Sequence, residues 1–355
     1  MVFTQEWGKG QPVIMLHPLA LESTAFGGVG RLLARRDVRA IAADLPGFGR
    51  TPGPDAPLTP ACMAEPVIEL ARSLATPPVV LGMSMGGRVA LEAALCEPAA
   101  FHGIVLVAPF LPWRSQGAML SLARWLSPKA AERIPLEWFW PLLQRISTTL
   151  EGRPEFEQDW LARASVRVGY YLSCPATRAH FVSAAREMAL DPAFGPDGTW
   201  TRLERLAVPA AFVWGERDAL IPARHAAAVA ELLPRAHHVK VACSGHFMNG
   251  RHHLCFETAM ASAVLHTLEA SDPPTAAHPT RARFVAAPCL SGAAPSAEAA
   301  TDEACPSEKT FTYRKDWDFG FAAADPSLRL RGLSADHAAH GSGAYSCRMT
   351  GSSRT

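Results

Sequence analysis

The segment Gly82–Gly87 (GMSMGG) places Ser84 between glycines two residues before it and two residues after it. An apolar stretch, Val79–Leu81, precedes this segment, and a helical pattern over Arg88–Leu95 follows it. The order predicts a strand, a sharp turn and a helix, with the serine raised clear of the sheet on a strained backbone. Glycines are needed on both sides because strand and helix pack too closely there for a Cβ atom. Ser84 is therefore predicted to be a nucleophile.

A serine nucleophile needs a base to take its proton, and the base needs an acid that orients it. His246 follows the apolar stretch Val239–Ala242, and two acids, Glu216 and Asp218, follow another apolar stretch. Such groups collect beyond the carboxyl ends of parallel strands, and the order serine, acid, histidine is the one expected there. From the residues alone, either acid can fill the orienting role.

The elements that must position these groups are short apolar stretches separated by longer helical patterns. The predicted strands are Val13–Leu16, Arg39–Ala43, Val79–Met83, Ile104–Val107, Ala211–Trp214 and Val239–Ala242. Between them, Thr59 and Pro60 form an N-cap and first-turn signature, although Pro66 should kink the helix that follows. Pro222 is expected to open another helix. This alternation predicts a mainly parallel α/β sheet with helices on both faces.

Two parts of the chain fall outside the alternation. Residues 111–206 show helical patterns and no good strand, which predicts a helical insertion between two strands of a core formed by residues 1–110 and 207–270. Residues 271–355 are dominated by small and polar residues. Such a segment buries too little apolar surface to offset its ordering entropy, so we expect a disordered tail outside the fold.

Composition excludes several classes of function. Lys and Arg number 34 and Asp and Glu number 33, so no basic excess is available for nucleic acid. The longest apolar run, Gly103–Trp113, is far shorter than a bilayer span, and the N-terminal residues do not read as a signal peptide. The eight cysteines include no CxxC pair, which favours reduced thiols in a cytoplasmic protein.

A metal site is the alternative use of the histidines near His246. Four further histidines and one cysteine lie close to it in the sequence, namely His237, His238, His252, His253 and Cys243. They show no ordered ligand spacing, and a serine nucleophile requires His246 as its base. We therefore expect neither a metal nor a cofactor.

Over roughly residues 5–268 the chain resembles the α/β-hydrolase superfamily. The resemblance is carried by GMSMGG, by DLPGFGRT at Asp44–Thr51, by WGERDALIP at Trp214–Pro222 and by SGHF at Ser244–Phe247. It implies that residues 111–206 form a cap over the active site. It also favours Asp218 over Glu216 as the acid, because Asp218 fits the family's spacing before the helix at Pro222.

The resemblance further implies an oxyanion hole made of two backbone N–H donors. One is Met85, the residue after the nucleophile. The other usually lies in a His-Gly-x segment, which here reads His17-Pro18-Leu19. Proline has no N–H, so Leu19 is the expected donor. The family's initial β-hairpin is also reduced, since only Val2–Trp7 precedes this region.

Serine at position 84 argues against the dehalogenase and epoxide hydrolase branches of the superfamily, which use aspartate there. Met83 argues against C–C bond hydrolases, which usually carry Asn before the nucleophile. The favoured interpretation is a hydrolase of small to medium, mostly apolar carboxylic esters. The GxSMGG turn and the run His246–Asn249 also resemble enol-lactonases of aromatic catabolism. The alternative to ester hydrolysis is therefore a lactonase or, despite Met83, a C–C bond hydrolase of aromatic catabolism. A binding protein without chemistry is the competing class, and the oligomeric state is left open.

Overall fold

A computed structural model of the chain describes residues 1–112, 123–133, 169, 171–216, 218, 221, 223–242, 244–246, 253–270 and 284–287. Within these residues one eight-stranded sheet has the order β1-β3-β2-β4-β5-β6-β7-β8. The strands are β1 Thr4–Trp7, β2 Gln11–Leu16, β3 Val38–Ala43, β4 Val79–Met83, β5 Gly103–Val107, β6 Ala210–Gly215, β7 His237–Val241 and β8 Phe284–Ala287. β1 is antiparallel to β3, and the other neighbouring pairs are parallel. The predicted mainly parallel sheet is confirmed.

Helices cover both faces of this sheet. The α-helices of the described residues are α1 Gly27–Ala34, α2 Pro60–Arg72, α3 Met85–Cys96, α4 Pro128–Arg133, α5 Pro175–Leu190, α6 Thr199–Leu203, α7 Ala223–Leu232 and α8 His253–Glu269, of which α4, α5 and α6 belong to the 111–206 segment. In β4, Val80 belongs to one buried apolar cluster together with Val89 of α3. Its neighbour Leu81 belongs to a second cluster, with Phe256 of α8. The alternation of side chains along a strand thus supplies two cores. None of the described helices combines the length and apolarity needed to cross a bilayer.

The six predicted strands are all present; Val79–Met83 matches at both ends, and no end of the others differs by more than two residues. The predicted N-cap is also confirmed, because the Thr59 hydroxyl accepts the Cys62 N–H at 3.1 Å. Pro66 does not end α2, which continues to Arg72. Burial of Met63 and Val67 on either side of the proline keeps the helix docked, so packing outweighs the lost hydrogen bond.

The described residues of the 111–206 segment contain α4, α5 and α6 and no strand. Four of the six tryptophans in this segment lie outside the described residues, namely Trp113, Trp138, Trp140 and Trp160. The end of the segment packs back onto its beginning, since the Trp200 indole N–H donates to the Pro112 carbonyl at 2.6 Å. The cap role and the domain boundaries stay predictions.

The expectation that the fold ends at residue 270 needs correction at Phe284–Ala287. These four residues form β8, which pairs in parallel with the outer edge of β7. The Phe284 ring lies 5.3 Å from the His238 ring, and the Lys240 ammonium lies 4.1 Å from the centre of the Phe284 ring. Backbone pairing and one aromatic anchor hold the strand, so low apolar content did not prevent it from forming. The other residues of the predicted tail lie outside the described residues.

A buried ion network joins α3 to the end of the 111–206 segment. Arg88 donates to Glu92, four residues along the helix, at 2.7 Å. Two further bonds, at 2.6 and 3.0 Å, connect its guanidinium to Asp191. Arg202 makes a second two-bond contact with Glu92, with both bonds at 2.8 Å. Because each carboxylate has guanidinium partners, the buried charges are paired and both segments are held against each other.

The network gives a pH-dependent contribution to stability. Burial raises the pKa of Glu92, but the hydrogen bonds and charges of Arg202 and Arg88 outweigh burial and lower it to about 2. The stability contributed by Glu92 is therefore complete above about pH 4.5 and is lost as pH falls towards 2. We expect Glu92→Gln to lower the free energy of unfolding at pH 7 by up to about 3 kcal/mol, with a difference from wild type that shrinks below pH 4.5.

Urea denaturation at pH 7, 4.5 and 3 measures this difference. The control is Glu97→Gln, because Glu97 pairs with Arg72 at the surface, where the Arg72 side chain is 59% exposed. That variant should change stability by less than about 1 kcal/mol. A deficit of Glu92→Gln that stays constant from pH 7 to pH 3 would contradict the assignment.

A pair of truncations tests the contribution of β8. Ending the chain at residue 270 removes β8 and leaves β7 as an open sheet edge, whereas ending it at residue 290 keeps β8. We expect the shorter form to melt about 2–4 °C lower and to self-associate, because an unpaired edge exposes backbone donors and acceptors to other chains. Melting curves and light scattering check this. Identical behaviour of the two forms would show that β8 contributes nothing.

Candidate active site

Ser84 stands at the carboxyl end of β4 with a left-handed backbone, φ 51° and ψ −113°. Residues other than glycine rarely adopt this conformation, which costs about 1–3 kcal/mol. Hydrogen bonds on both sides hold it in place. The Ser84 N–H donates to the Val107 carbonyl at 3.0 Å, and the Ser84 carbonyl accepts from Phe110 at 2.9 Å and from Arg88 at 3.1 Å. The strained backbone that the sequence predicted at Ser84 is therefore present.

Two glycines of the GMSMGG segment are required by close backbone approaches. A Cβ atom on Gly82 would lie 2.2 Å from the Gly86 carbonyl oxygen. A Cβ atom on Gly86 would lie 2.2 Å from the Leu16 carbonyl oxygen and 2.6 Å from that of His17. The start of α3 therefore rests directly against the end of β2. This approach brings the residue after Ser84 next to the loop that follows β2.

His246 and Asp218 come from the loops after β7 and β6, which are adjacent strands. The His246 Nδ1 atom lies 2.8 Å from Asp218 Oδ2, and its Nε2 atom lies 3.0 Å from Ser84 Oγ. The second Asp218 oxygen accepts the Ile221 N–H at 2.7 Å. An ionised carboxylate only accepts, so Nδ1 carries the proton and Nε2 presents its lone pair to Ser84. His246 is 5% exposed and Asp218 is 8% exposed, so bulk water weakly screens the interaction between the imidazole and the carboxylate.

Glu216, the alternative acid, is placed differently. Its backbone N–H donates to the Val241 carbonyl at 3.1 Å, and its side chain is exposed. A carboxylate in water holds an imidazole less firmly than a buried one. The structure therefore brings Asp218, and not Glu216, against the imidazole.

The two expected oxyanion donors lie directly after Ser84 and in the loop after β2. Met85 is the first residue of α3, so its N–H has no partner within the helix. Leu19 lies in the loop after β2, where the Leu21 N–H closes a turn onto the Pro18 carbonyl at 3.2 Å. In the described part of the chain, neither the Met85 nor the Leu19 N–H donates to another protein atom. Their role as oxyanion donors stays a prediction.

His17 connects this loop to the next one along the sheet. Its Nδ1 lies 2.9 Å from the Pro18 carbonyl, and its Nε2 accepts the Leu45 N–H at 2.9 Å. The ring is fully buried, and this burial lowers its pKa despite the hydrogen bond to Pro18 and the nearby charge of Asp44. His17 is therefore a neutral structural imidazole. Pro18, which has no N–H, takes part in the loop through its carbonyl, which contacts His17 Nδ1.

The histidines considered as metal ligands occupy other positions. The His237 ring stacks on His266 with ring centres 4.0 Å apart, and His238 Nε2 lies 3.0 Å from the Leu233 carbonyl. Cys243 and the side chains of His252 and His253 lie outside the described residues. Within the residues that the structure describes, no group of three or more His, Cys, Asp or Glu side chains is arranged to hold a metal ion.

Sequence reasoning missed Asp191 and Tyr171, which fasten the 111–206 segment to the core beside the site. Asp191 binds Arg88 four residues after the nucleophile, and the Tyr171 hydroxyl reaches the loop after β2. The spacing of Arg88 and Glu92 on one helix face was a signal for a buried ion pair. No sequence pattern marked their distant partners.

A model of the alpha/beta hydrolase family matches residues 13–258, and the chain belongs to that family. The pimeloyl-[acyl-carrier protein] methyl ester esterase of Chromobacterium violaceum is 28% identical over 246 residues, which make up 66% of this chain and 87% of that protein. Polyketide synthase ThaQ of Burkholderia thailandensis is 28% identical over 273 residues. Those residues span 75% of this chain but only 12% of the synthase.

Among solved structures, an esterase from Thermogutta terrifontis superposes with a TM-score of 0.59 at 22% identity, covering 75% of this chain and 93% of that one. At this identity the likeness shows the shared fold. The predicted fold family is confirmed, and the family together with the esterases among its relatives makes the chain a hydrolase.

The two acids give a direct test of the site geometry. We expect Asp218→Asn to lower kcat for an ester substrate by about 10³–10⁴-fold, because an amide favours the wrong imidazole tautomer. Glu216→Gln, two residues away and equally conservative, should change kcat less than about threefold, since its side chain is exposed. Steady-state kinetics of both purified variants check this. Equal losses, or a larger loss in Glu216→Gln, would reverse the assignment of the acid.

Proposed function

We propose that the chain hydrolyses small to medium carboxylic esters through a covalent acyl-enzyme formed on Ser84. One observation carries the proposal: two hydrogen bonds, of 3.0 and 2.8 Å, connect Ser84 to His246 and His246 to Asp218. A strained serine, an imidazole with its lone pair towards that serine and a buried carboxylate together form an activated nucleophile. Membership of a hydrolase family favours catalysis over ligand binding alone.

In the proposed acylation, Ser84 Oγ attacks the ester carbonyl while His246 Nε2 takes the hydroxyl proton. Asp218 holds the ring and stabilises the imidazolium that forms. The carbonyl oxygen gains negative charge, which the N–H groups of Met85 and Leu19 are placed to bind. Collapse of this intermediate breaks the bond to the leaving alkoxide, and His246 returns the proton to it as the alcohol departs.

Deacylation repeats these steps with water as the nucleophile. His246 takes a proton from water, the resulting hydroxide attacks the acyl carbonyl, and Ser84 leaves with the proton restored. Each proton moves among the serine, the imidazole, the alcohol and water. The proposed reaction therefore requires no metal and no cofactor.

The surroundings of Ser84 support an apolar acyl group. Phe110 binds the Ser84 carbonyl through its backbone, and Leu111 follows it in the buried core. Met85 is 2% exposed, and Leu19 packs against the same core. The ionic groups of Arg88 and its partners are already paired with one another. An acyl group that packs beside these side chains would gain up to about 0.8 kcal/mol per buried CH₂ until the space is full.

We expect kcat/KM for p-nitrophenyl esters to rise from acetate, to peak at short to medium acyl chains and to fall for long chains. Ser84→Ala should lower kcat/KM by about 10⁴-fold or more throughout the series, because the nucleophile is lost. The series is measured on wild type and variant, together with fluorophosphonate labelling of the serine. The control is Ser73→Ala, whose hydroxyl is exposed and donates to the Leu70 carbonyl.

The outcomes separate the proposal from its alternatives. Labelling or turnover that survives in Ser84→Ala would exclude Ser84 as the nucleophile. Poor activity on all the esters with high activity on a carboxylate-bearing enol-lactone would identify the lactonase instead. A steady rise to the longest acyl chains would indicate an open, lipase-like groove.

A second candidate is the hydrolysis of an ester whose acyl chain is attached to an acyl-carrier protein. It is favoured by the relative from Chromobacterium violaceum, whose name specifies such a methyl ester and 87% of whose length aligns with this chain. The same Ser84 chemistry would serve, with methanol as the leaving alcohol. An acyl methyl ester attached to a carrier protein should then be hydrolysed at least about tenfold faster than the same acyl methyl ester without the carrier protein.

A further inference from the structure

We propose that Tyr171, a residue of the 111–206 segment, is a positioning residue for the loop that presents the Leu19 N–H. The inference rests on the proposed function, since the Leu19 N–H matters only when Ser84 attacks a carbonyl group. It adds a link between the oxyanion site and the inserted segment. Tyr171 acts through the loop, because its hydroxyl contacts backbone atoms of the core.

The Tyr171 hydroxyl bridges two core loops. It donates to the Leu21 carbonyl at 3.3 Å, two residues after the expected oxyanion donor. It also accepts the Gly49 N–H at 3.2 Å, in the loop that follows β3. One oxygen therefore ties the loop after β2 to the loop after β3 and to the inserted segment. Substitution by phenylalanine would remove both bonds while keeping the ring.

The ring is held firmly enough to define where the hydroxyl lies. Tyr171 is 1% exposed and packs with its ring centre 5.4 Å from that of Phe48. On another side it stacks on Phe181 of α5, with ring centres 6.4 Å apart. A buried aromatic ring has two side-chain torsions, and packing against two other rings restricts both. The position of the Tyr171 hydroxyl is thus well defined, so its hydrogen bond to the Leu21 carbonyl restricts the position of the loop after β2.

The other anchors of this loop come from the core. Asp44 accepts the Ser23 N–H at 2.6 Å at the far end of the loop, and His17 binds the Pro18 carbonyl at 2.9 Å at the near end. Between them, Ala20 has a left-handed backbone with φ 63°. The Tyr171 bond falls at Leu21, next to this strained residue. Of these three side-chain anchors, Tyr171 is the one that the inserted segment supplies.

Placement of the loop matters because an oxyanion donor works only at hydrogen-bond distance from the developing charge. A displacement of 1 Å can cost about 100-fold in rate, and complete loss of one donor costs about 10²–10³-fold. Loss of the Tyr171 bonds leaves the Leu19 N–H present but less well placed. The effect should therefore fall on the transition state more than on binding of the substrate.

The test is Tyr171→Phe in the full chain, assayed with the ester that wild type hydrolyses best. We expect kcat to fall about tenfold with KM changed less than about twofold. Affinity for an arylboronic acid, which forms a tetrahedral adduct on the serine, should fall by the same factor as kcat/KM. The fraction of molecules that react with a fluorophosphonate at long times should remain that of wild type.

The control is Thr177→Val. The Thr177 hydroxyl donates to the Tyr171 carbonyl at 2.9 Å and to the Cys174 carbonyl at 3.1 Å, so it lies in the same segment without touching the core loops. Its loss should leave kcat and boronate affinity within about twofold of wild type. Equal losses in Thr177→Val and Tyr171→Phe would overturn the proposal, because general loosening of the segment would then explain both.

A second background tests the route of the effect. Leu19→Pro removes the donor N–H itself, and adding Tyr171→Phe to it should lower kcat by less than about twofold more. A full tenfold additional loss would overturn the proposal. If Leu19→Pro does not fold, the boronate affinity of Tyr171→Phe alone tests the proposal. An affinity equal to that of wild type would overturn it. Failure of the proposed function is distinguishable, since wild type would then show no turnover dependent on Ser84.

Discussion

The left-handed backbone of Ser84 is the constraint on which the rest of this structure depends. A φ of 51° at a residue with a side chain is stable only when neighbouring segments hold it from both sides. Strand β5 and the residues after it do so through Val107 and Phe110. The absence of side chains at Gly82 and Gly86 allows α3 to approach β4 and the end of β2. The strained, half-buried serine is therefore a product of the dense packing around it.

Two buried imidazoles near this turn differ in what their nitrogen atoms face. Both nitrogens of His17 are engaged by backbone groups, Pro18 and Leu45, and burial lowers its pKa. His246 has a carboxylate on one nitrogen and the Ser84 hydroxyl on the other. The first ring can only hold loops together, whereas the second can accept a proton and give it back. The same residue type thus serves structure and chemistry according to its hydrogen-bond partners.

The 111–206 segment is fastened to the core by polar contacts rather than by apolar packing alone. Asp191 pairs with Arg88 and Arg202 pairs with Glu92, both on α3, and Tyr171 bridges two core loops. Directional contacts of this kind specify one docked geometry, whereas apolar contacts tolerate sliding. A segment held to α3, which follows Ser84, and to the loop after β2 can influence how the loops around Ser84 are arranged.

The sequence by itself determined the features that follow from short-range rules. Apolar runs located six strands, the spacing of Gly82 and Gly86 located the turn, and Thr59 marked a helix start, because burial, sterics and capping act over a few residues. The residues alone left Glu216 and Asp218 open, the family resemblance favoured Asp218, and the tertiary structure brings Asp218 to the imidazole. Only the tertiary structure added β8 to the sheet. It also paired Arg88 with Asp191, 103 residues away. Such contacts depend on how distant loops close around a finished core, and no periodicity along the chain records that closure.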